Sequence, residues 1–133
     1  MKGYLLDTDI VVFFLRGQKG IAQQLAALAP ESIYISEVTV AELEYGNRCS
    51  GRYEENEELL NRFISSVNVI PFSDAIRLYA KERYRLRRAG LSIEDFDLLI
   101  GCTSVARGLR MVTNNQKHYS RIEGILIEDW ISK

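Results

Sequence analysis

Hydrophobic residues along the chain alternate between short runs and longer stretches with helical spacing. Short apolar runs closed by an acid, a proline or a polar residue are typical of strands. Five such runs occur, at residues 4–6, 33–35, 69–70, 111–112 and 125–127. Helical spacing predicts helices over residues 10–15, 21–28, 37–46, 59–67, 73–89 and 93–107. Strand and helix in alternation predict an α/β fold, with a parallel sheet of four to five strands, the first strand central, and helices on both faces.

Several polar residues and glycines mark where these elements begin and end. Ser36 is placed to cap the helix that follows the second strand, and Ser92 with Asp95 three residues later resembles a capping box. Gly90 and Gly108 are placed to end the two helices before the fourth strand. Residues 47–57 are polar and acidic, so we expect a flexible loop there that merges into the next helix.

The size and composition of the chain fit one globular domain spanning residues 1–133, with 47% hydrophobic and 26% charged residues. No apolar run approaches the roughly 20 residues that span a bilayer, and the N-terminus lacks a signal-peptide layout. Cys102 lies in an apolar helical pattern and Cys49 has no partner framework, which favours a reducing, cytoplasmic setting. The net charge of −1 lacks the basic excess of a typical nucleic-acid-binding protein.

Acidic and polar residues concentrate where the strands are predicted to end. Asp7 directly follows the first strand, Thr113–Asn115 follows the fourth, and Asp97 lies near the start of the helix that leads into the fourth. Glu42 lies about two turns into the helix after the second strand, with Val38, Thr39 and Tyr45 at helical spacings, which predicts the more buried side. Ligands of open parallel sheets bind beyond the carboxyl ends of the strands, so these groups are candidates for a site.

Carboxylates with apolar neighbours on both sides are costly unless they are paired or bound to metal. Asp7, Glu42 and Asp97 have such neighbours, and converging carboxylates are most simply compensated by a hard cation, Mg²⁺ or Mn²⁺. A cation of this kind supports phosphodiester hydrolysis. Each residue also has a structural explanation, because Asp7 could cap a helix, Glu42 could be solvated and Asp97 could complement the helix dipole.

Other polar residues have weaker claims to function. Asp95 fits a capping role, Glu94 a solvated one, and Asp9 either a hydrogen bond to the first turn or a supporting role at the site. His118, the only histidine, is expected in a surface loop rather than as a general base. The basic run at residues 81–88 fits either phosphate binding or a solvated helix face, because its charges are spread around the helix.

Five short motifs in order resemble the PIN-domain family, and most closely its VapC-type toxins. They are Leu5–Asp9, Val40–Leu43, Asp97–Ile100, Val112–Asn115 and Ile127–Trp130. The resemblance covers nearly the whole chain and implies a three-layer α/β/α fold. It further implies a metal-dependent endoribonuclease that acts on structured RNA, with tRNA the leading candidate, that forms a homodimer and that a small VapB-type antitoxin neutralises.

By this resemblance, Asp7 and Asp97 would be metal ligands and Glu42 a ligand or a positioning acid, with Thr8 and Thr113 in support. Two positions depart from the family pattern. Asn115 stands where many relatives carry a fourth acid, and a neutral amide adds no charge for a second metal ion. Gly101 stands where alanine is usual, which indicates a difference in packing.

Three alternatives remain beside the metal-dependent nuclease. Asp7 to Val11 also fits the opening of haloacid-dehalogenase-type phosphatases, although the later acidic segment is missing. A receiver domain would need an aspartate closing the third strand, where Ile70–Phe72 stands. A non-catalytic binding module would keep the fold without cleavage.

Apolar residues that a small sheet cannot cover, at Phe13, Phe14 and 79–84, favour self-association.

Overall fold

The structure is a computed structural model and describes residues 3–131; residues 1–2 and 132–133 of the predicted domain lie outside the described part. Its five strands are β1 (Tyr4–Leu6), β2 (Ile33–Ser36), β3 (Asn68–Ile70), β4 (Arg110–Val112) and β5 (Ile127–Glu128). Every pairing is parallel, in the order β3-β2-β1-β4-β5. The predicted parallel sheet with the first strand at its centre is confirmed.

Helices connect the strands. They are α1 (Thr8–Leu15), α2 (Ile21–Ala26), α3 (Glu37–Cys49), α4 (Tyr53–Ser66), α5 (Ile76–Arg88), α6 (Asp95–Ala106) and α7 (Gln116–Tyr119). Two short 3₁₀ turns, Pro30–Ser32 and Ser73–Ala75, precede β2 and α5. Ser36 caps α3 as predicted, because its hydroxyl accepts a hydrogen bond from the Val38 amide at 3.0 Å.

The sheet separates two apolar cores. Successive residues of β1 point to opposite faces, so Leu5 packs in one core and Leu6 in the other, and both are fully buried. The Leu5 core includes buried residues of α5 and α6, such as Leu86 and Ile100, whereas the Leu6 core includes residues of α1 and α4. This arrangement is the predicted three-layer architecture.

The prediction of a flexible loop over residues 47–57 is wrong, because most of this segment is helical. Helix α3 continues through Gly46 to Cys49 and α4 begins at Tyr53, so only three residues connect them. The polar side chains of this segment bond across the helix pair. Asn47 donates to Glu57 at 2.8 Å, and the Arg48 guanidinium lies 4.4 Å from the centre of the Tyr53 ring. These contacts stabilise helices whose polar sequence resembles that of a loop.

Other differences from the sequence prediction concern element ends. Ser92 does not cap α6, because its carbonyl accepts from Arg121 at 2.9 Å and residues 91–94 are not helical. Glu94 is the cap, and its carboxylate accepts from the Asp97 amide at 3.4 Å. Strand β5 begins at Ile127 rather than at residue 125, and the one-turn helix α7 was not predicted.

Both cysteines are free, with Cys102 buried as predicted and Cys49 exposed. Burial raises the pKa of the Cys102 thiol to about 12, so this residue is a small apolar group of the core. Within residues 3–131, none of the helices has the length and apolar character needed to cross a membrane.

Candidate active site

Asp7 lies at the carboxyl end of the central strand and is nearly completely buried. It caps α1, because its Oδ1 accepts from the Thr8 amide at 2.8 Å. Two further donors reach the same carboxylate from distant parts of the chain. The Thr113 hydroxyl, at the end of β4, donates to Oδ2 at 2.8 Å, and the Tyr119 hydroxyl of α7 donates to Oδ1 at 3.0 Å. The capping role is therefore real, but it accounts for only one of three hydrogen bonds.

Glu42 faces Asp7 from α3 and is partly buried. The Thr8 hydroxyl donates to its Oε1 at 2.6 Å and lies 3.0 Å from the Thr39 hydroxyl. Because Thr8 has one hydroxyl proton, Thr39 is the donor in that second contact. The predicted burial of this helix side holds for Thr39, whereas Tyr45 is 72% exposed and was wrongly included.

Asp97 lies in the first turn of α6 and is partly buried. Its pKa is raised to about 6, mainly by burial, and the negative charges of Glu94 and Glu42 contribute to the rise. Glu94, expected to be merely solvated, therefore has two effects on Asp97. It caps the helix that carries Asp97, and its charge disfavours ionisation of the Asp97 carboxyl group.

Asp7, Glu42 and Asp97 form one acidic cluster in which the charges act on one another. Burial raises the pKa of Asp7 to about 6, against the effect of its hydrogen bonds from Thr113 and Tyr119, and the charge of Asp97 adds to the rise. Burial also raises the pKa of Glu42, and the charge of Asp7 contributes. The structure thus brings together three acids separated by up to 90 positions in sequence, which are costly to ionise without a cation.

Tyr119 is the residue of this site that sequence reasoning missed. It is fully buried, and burial together with the charges of Asp7 and Asp97 raises the pKa of its hydroxyl. A buried tyrosine hydroxyl needs a hydrogen-bond partner, so a tyrosine that is predicted to be buried indicates a polar group nearby. The preceding segment, however, lacked a recognisable helix pattern that would have placed Tyr119 at the sheet edge.

Asn115 is joined to the site through its backbone. Its amide donates to the Thr113 hydroxyl at 2.9 Å, whereas its side-chain nitrogen lies 3.0 Å from His118 Nδ1. His118 is exposed but belongs to α7 rather than to a loop. Asp9 is exposed and adds negative charge near Glu42 and Asp97.

The basic run on α5 is largely occupied by interactions within the chain. Arg85 makes two hydrogen bonds to buried Glu82, at 2.9 and 2.7 Å, and Arg83 pairs with Asp95 at 3.4 Å. The Arg88 guanidinium lies over the Tyr84 ring. Arg83 and Arg87 line a cavity that extends to Glu94 beside the acidic cluster.

The donor chemistry of the acidic cluster fits a hard divalent cation. Across residues 3–131, no three His, Cys, Asp or Glu side chains are arranged to hold a metal ion by themselves. Mg²⁺ does not need such a cage, because it is usually bound by one or two carboxylates, waters and substrate phosphate. Asp7 and Asp97, both beside the Tyr119 hydroxyl, offer such a pair of carboxylates.

Comparison with known proteins gives one consistent result. The family model described as "PIN domain" matches residues 4–124. The chain is 36% identical to Ribonuclease VapC2 of Rickettsia felis, over 96% of this chain and 97% of the relative. It is 31% identical to the tRNA(fMet)-specific endonuclease VapC of Shigella flexneri, over 98% and 99%. The solved DNA-bound VapBC of Salmonella typhimurium contains a chain with 32% identity and a TM-score of 0.91, covering 98% of this chain and 99% of its own.

Proposed function

Because the chain belongs to the PIN-domain family, we propose that it is a VapC-type endoribonuclease, the toxin component of a toxin–antitoxin pair, whose activity depends on Mg²⁺ or Mn²⁺. The observation that carries this proposal is the acidic cluster at the carboxyl end of the central strand, where parallel-sheet proteins bind ligands. The family assignment decides against the phosphatase and receiver-domain alternatives.

In this proposal the acids have separate roles. Asp7 and Asp97 hold the cation, and Glu42, fixed at Oε1 by the Thr8 hydroxyl, completes the acidic cluster as a further ligand or as the acid that orients water. When bound, the cation supplies an activated water and neutralises charge that develops on the phosphoryl group. Thr113 keeps Asp7 oriented through its bond to Oδ2, and Asn115 continues that support through the backbone.

The proposed substrate is structured RNA, with tRNA as the first candidate. The relative from Shigella flexneri is named as a tRNA(fMet)-specific endonuclease, and it aligns over nearly the whole of both chains. The net charge of −1 gives no general attraction for RNA, so phosphate binding would depend on local groups such as Arg87. Such a substrate would place the protein in the cytoplasm.

The test is cleavage of total RNA and of purified tRNA with Mn²⁺, with Mg²⁺ and with excess EDTA. We expect cleavage only with a divalent cation, and a loss of at least about 100-fold for Asp97→Asn, because the cation loses an anionic ligand. The matched control is Asp95→Asn on the same helix, whose carboxylate pairs with Arg83 and Tyr79. Equal cleavage in EDTA, or by Asp97→Asn, would contradict the metal-dependent mechanism, whereas no cleavage by the wild type with either cation would support a non-catalytic binding module.

We also propose that the chain forms a homodimer and binds a VapB-type antitoxin. Exposed apolar residues remain, namely Tyr45, Ile76, Tyr84, Phe96 and Leu126. Phe14 was predicted to be among the apolar residues that the sheet leaves uncovered. This prediction is wrong, because its ring packs 5.3 Å from that of Phe63 within the chain. Light scattering should give twice the mass of the chain, and co-purification with a small protein from the neighbouring reading frame would identify the antitoxin.

A further inference from the structure

Tyr119 connects Asp7, at the end of β1, to helix α6, which carries Asp97. Its ring is fully buried, and its hydroxyl donates to Asp7 Oδ1 at 3.0 Å. The Thr8 amide donates to the same oxygen and Thr113 donates to Oδ2. The Tyr119 ring packs against α6 beside Gly101.

We propose that Tyr119 is a positioning residue, whose ring packs on α6 and whose hydroxyl holds Asp7, so that the spacing of Asp7 and Asp97 is fixed and the two carboxylates can hold one divalent cation. This inference rests on the metal-dependent function proposed above. Without the hydroxyl, Asp7 would lose one of its three donors and could move away from the like charge of Asp97, so binding the cation would first require the pair to be ordered. Partners that orient metal ligands in this way commonly change metal affinity strongly.

Gly101 is an independent sign that the chain accommodates this tyrosine. It lies in the interior of α6, one turn after Asp97, where glycine is a poor helix former. A Cβ at this position would collide with Ile122 Cδ1 and lie 3.1 Å from Cδ1 of the Tyr119 ring. The absence of a side chain at Gly101 therefore leaves the space in which the Tyr119 ring stands while its hydroxyl donates to Asp7.

The first experiment removes only the hydroxyl. Tyr119→Phe keeps the ring that fills the core, so we expect a folded protein that binds Mn²⁺ about 10- to 100-fold more weakly in titration calorimetry. RNA cleavage should need correspondingly more Mn²⁺ but recover much of its rate at saturation. A merely structural hydroxyl would lower the melting temperature in EDTA and leave the Mn²⁺ affinity unchanged. The matched control is Tyr34→Phe on β2, which removes a hydroxyl outside the acidic cluster.

The second experiment tests whether Gly101 acts through Tyr119. Gly101→Ala should weaken Mn²⁺ binding when Tyr119 is present, because the new methyl group displaces the ring. In the Tyr119→Phe background the same substitution should cause little further loss of affinity, since the hydroxyl is already gone. Additive losses of affinity would show that Gly101 acts independently of the hydroxyl and would remove this part of the inference.

The outcomes separate this inference from the proposed function. If the wild type binds Mn²⁺ and Tyr119→Phe binds it equally well, the positioning role is wrong while the metal site stands. If the wild type itself binds no Mn²⁺ and cleaves RNA in EDTA, both proposals are overturned. The affinity is measured without RNA, so a failure to find the natural substrate does not affect the result.

Discussion

At the scale of single residues, the site is built from groups that are unfavourable in the metal-free protein at neutral pH. Asp7 and Asp97 each have a pKa raised to about 6, mainly through burial. Their folded-state pKa values lie above the ordinary value of 3.8, so the folded protein binds protons more tightly than the unfolded chain. The stability that this contributes is complete below about pH 4 and is lost as the pH rises through about 6.

The first prediction is that Asp97→Asn stabilises the metal-free protein while it abolishes cleavage. The substitution removes one like charge without changing the shape of the side chain. Because Asp97 is only partly buried, solvent screening limits the gain to about 0.5–1 kcal/mol, or roughly 2–4 °C in melting temperature, at pH 7. The difference from wild type in EDTA should shrink as the pH falls from 7 to 4, since wild-type Asp97 then becomes neutral.

Thermal melting of both proteins across this pH range measures the prediction, and taking their difference cancels the titration of groups that do not interact with Asp97. Asp95→Asn provides the control, and it should show no comparable gain in stability at pH 7. A stability difference for Asp97→Asn that stays constant with pH would show that the charge of Asp97 is not the cause.

Sequence reasoning identified these acids because apolar neighbours made their charges costly, which is a local signal. It missed Tyr119, whose role depends on where the chain returns in space. It also missed the capping role of Glu94, a local contact with the Asp97 amide, because it placed the cap at Ser92. Tyr119 meets Asp7 across 112 positions, and no spacing rule covers such a contact. The hydroxyl partner of Glu42, Thr8, lies 34 positions away and was proposed only through the family resemblance.

At the scale of elements, two glycines inside helices show how the surroundings of a residue decide its effect. Gly46 lies within α3 and Gly101 within α6, and both are costly to helix formation relative to alanine. A Cβ at Gly46 would meet nothing within 4 Å, whereas one at Gly101 would collide with Ile122.

The second prediction is that alanine at these two positions has opposite effects on stability. Gly46→Ala should raise the free energy of unfolding by about 0.5–1 kcal/mol, because it lowers the entropy of the unfolded chain and improves helix propensity. Gly101→Ala should lower it by roughly 1–3 kcal/mol through overpacking. Urea unfolding of the two variants beside the wild type measures both, and a shift of the same sign for the two would contradict the argument.

A buried carboxylate also connects elements far from the site. Glu82 of α5 is 1% exposed and accepts two hydrogen bonds from Arg85 and one, at 2.9 Å, from the Glu123 amide. Arg85 in turn donates to the Arg121 carbonyl at 2.8 Å. These contacts attach α5 to the segment that follows α7, and they hold the pKa of Glu82 below its ordinary value.

The third prediction is that Glu82→Gln lowers the free energy of unfolding by roughly 1–3 kcal/mol at pH 7, because it leaves Arg85 without a charged partner. A lowered pKa contributes stability above the ordinary value of 4.5 that is lost as the pH falls through the lower folded-state value. The destabilisation should therefore diminish in acid. Glu58→Gln, which breaks an exposed pair with Arg62, should change stability by less than about 0.5 kcal/mol and serves as the control in the same urea titrations.

The elements themselves were predictable wherever a hydrophobic pattern defined them. The parallel sheet with β1 at its centre was predicted from short apolar runs separated by helices, whereas the full strand order was not. The connection between α3 and α4 was not predictable in this way, because its residues are polar and become helical through contacts such as that of Asn47 with Glu57. The start of α6 was misplaced because Ser92 is held by Arg121, a contact from beyond the next strand.

At the scale of the whole molecule, the parallel sheet concentrates charge at one edge. The carboxyl ends of β1 and β4 are neighbours, so Asp7 and Thr113 meet there. Helix α3, which follows β2, brings Glu42 to the same edge, and α6, which precedes β4, brings Asp97. Apolar cores on both faces hold this edge in place. The repulsion between the clustered carboxylates therefore lowers the free energy of unfolding of the whole protein.

The last prediction is that Mn²⁺ stabilises the whole protein and that the acidic cluster accounts for this effect. A ligand that binds only the folded state stabilises it by about 2.7 kcal/mol at a concentration 100 times its dissociation constant, which corresponds to a rise of roughly 10 °C in melting temperature for a chain of this size. Asp7→Asn and Asp97→Asn should each lose most of this rise, although Asp97→Asn starts from a higher melting temperature in EDTA. Asp95→Asn should keep it in full. Differential scanning calorimetry with and without Mn²⁺ measures all four proteins. An equal rise in all of them would place the cation elsewhere on the molecule, whereas a rise confined to wild type and Asp95→Asn locates it at the end of the central strand.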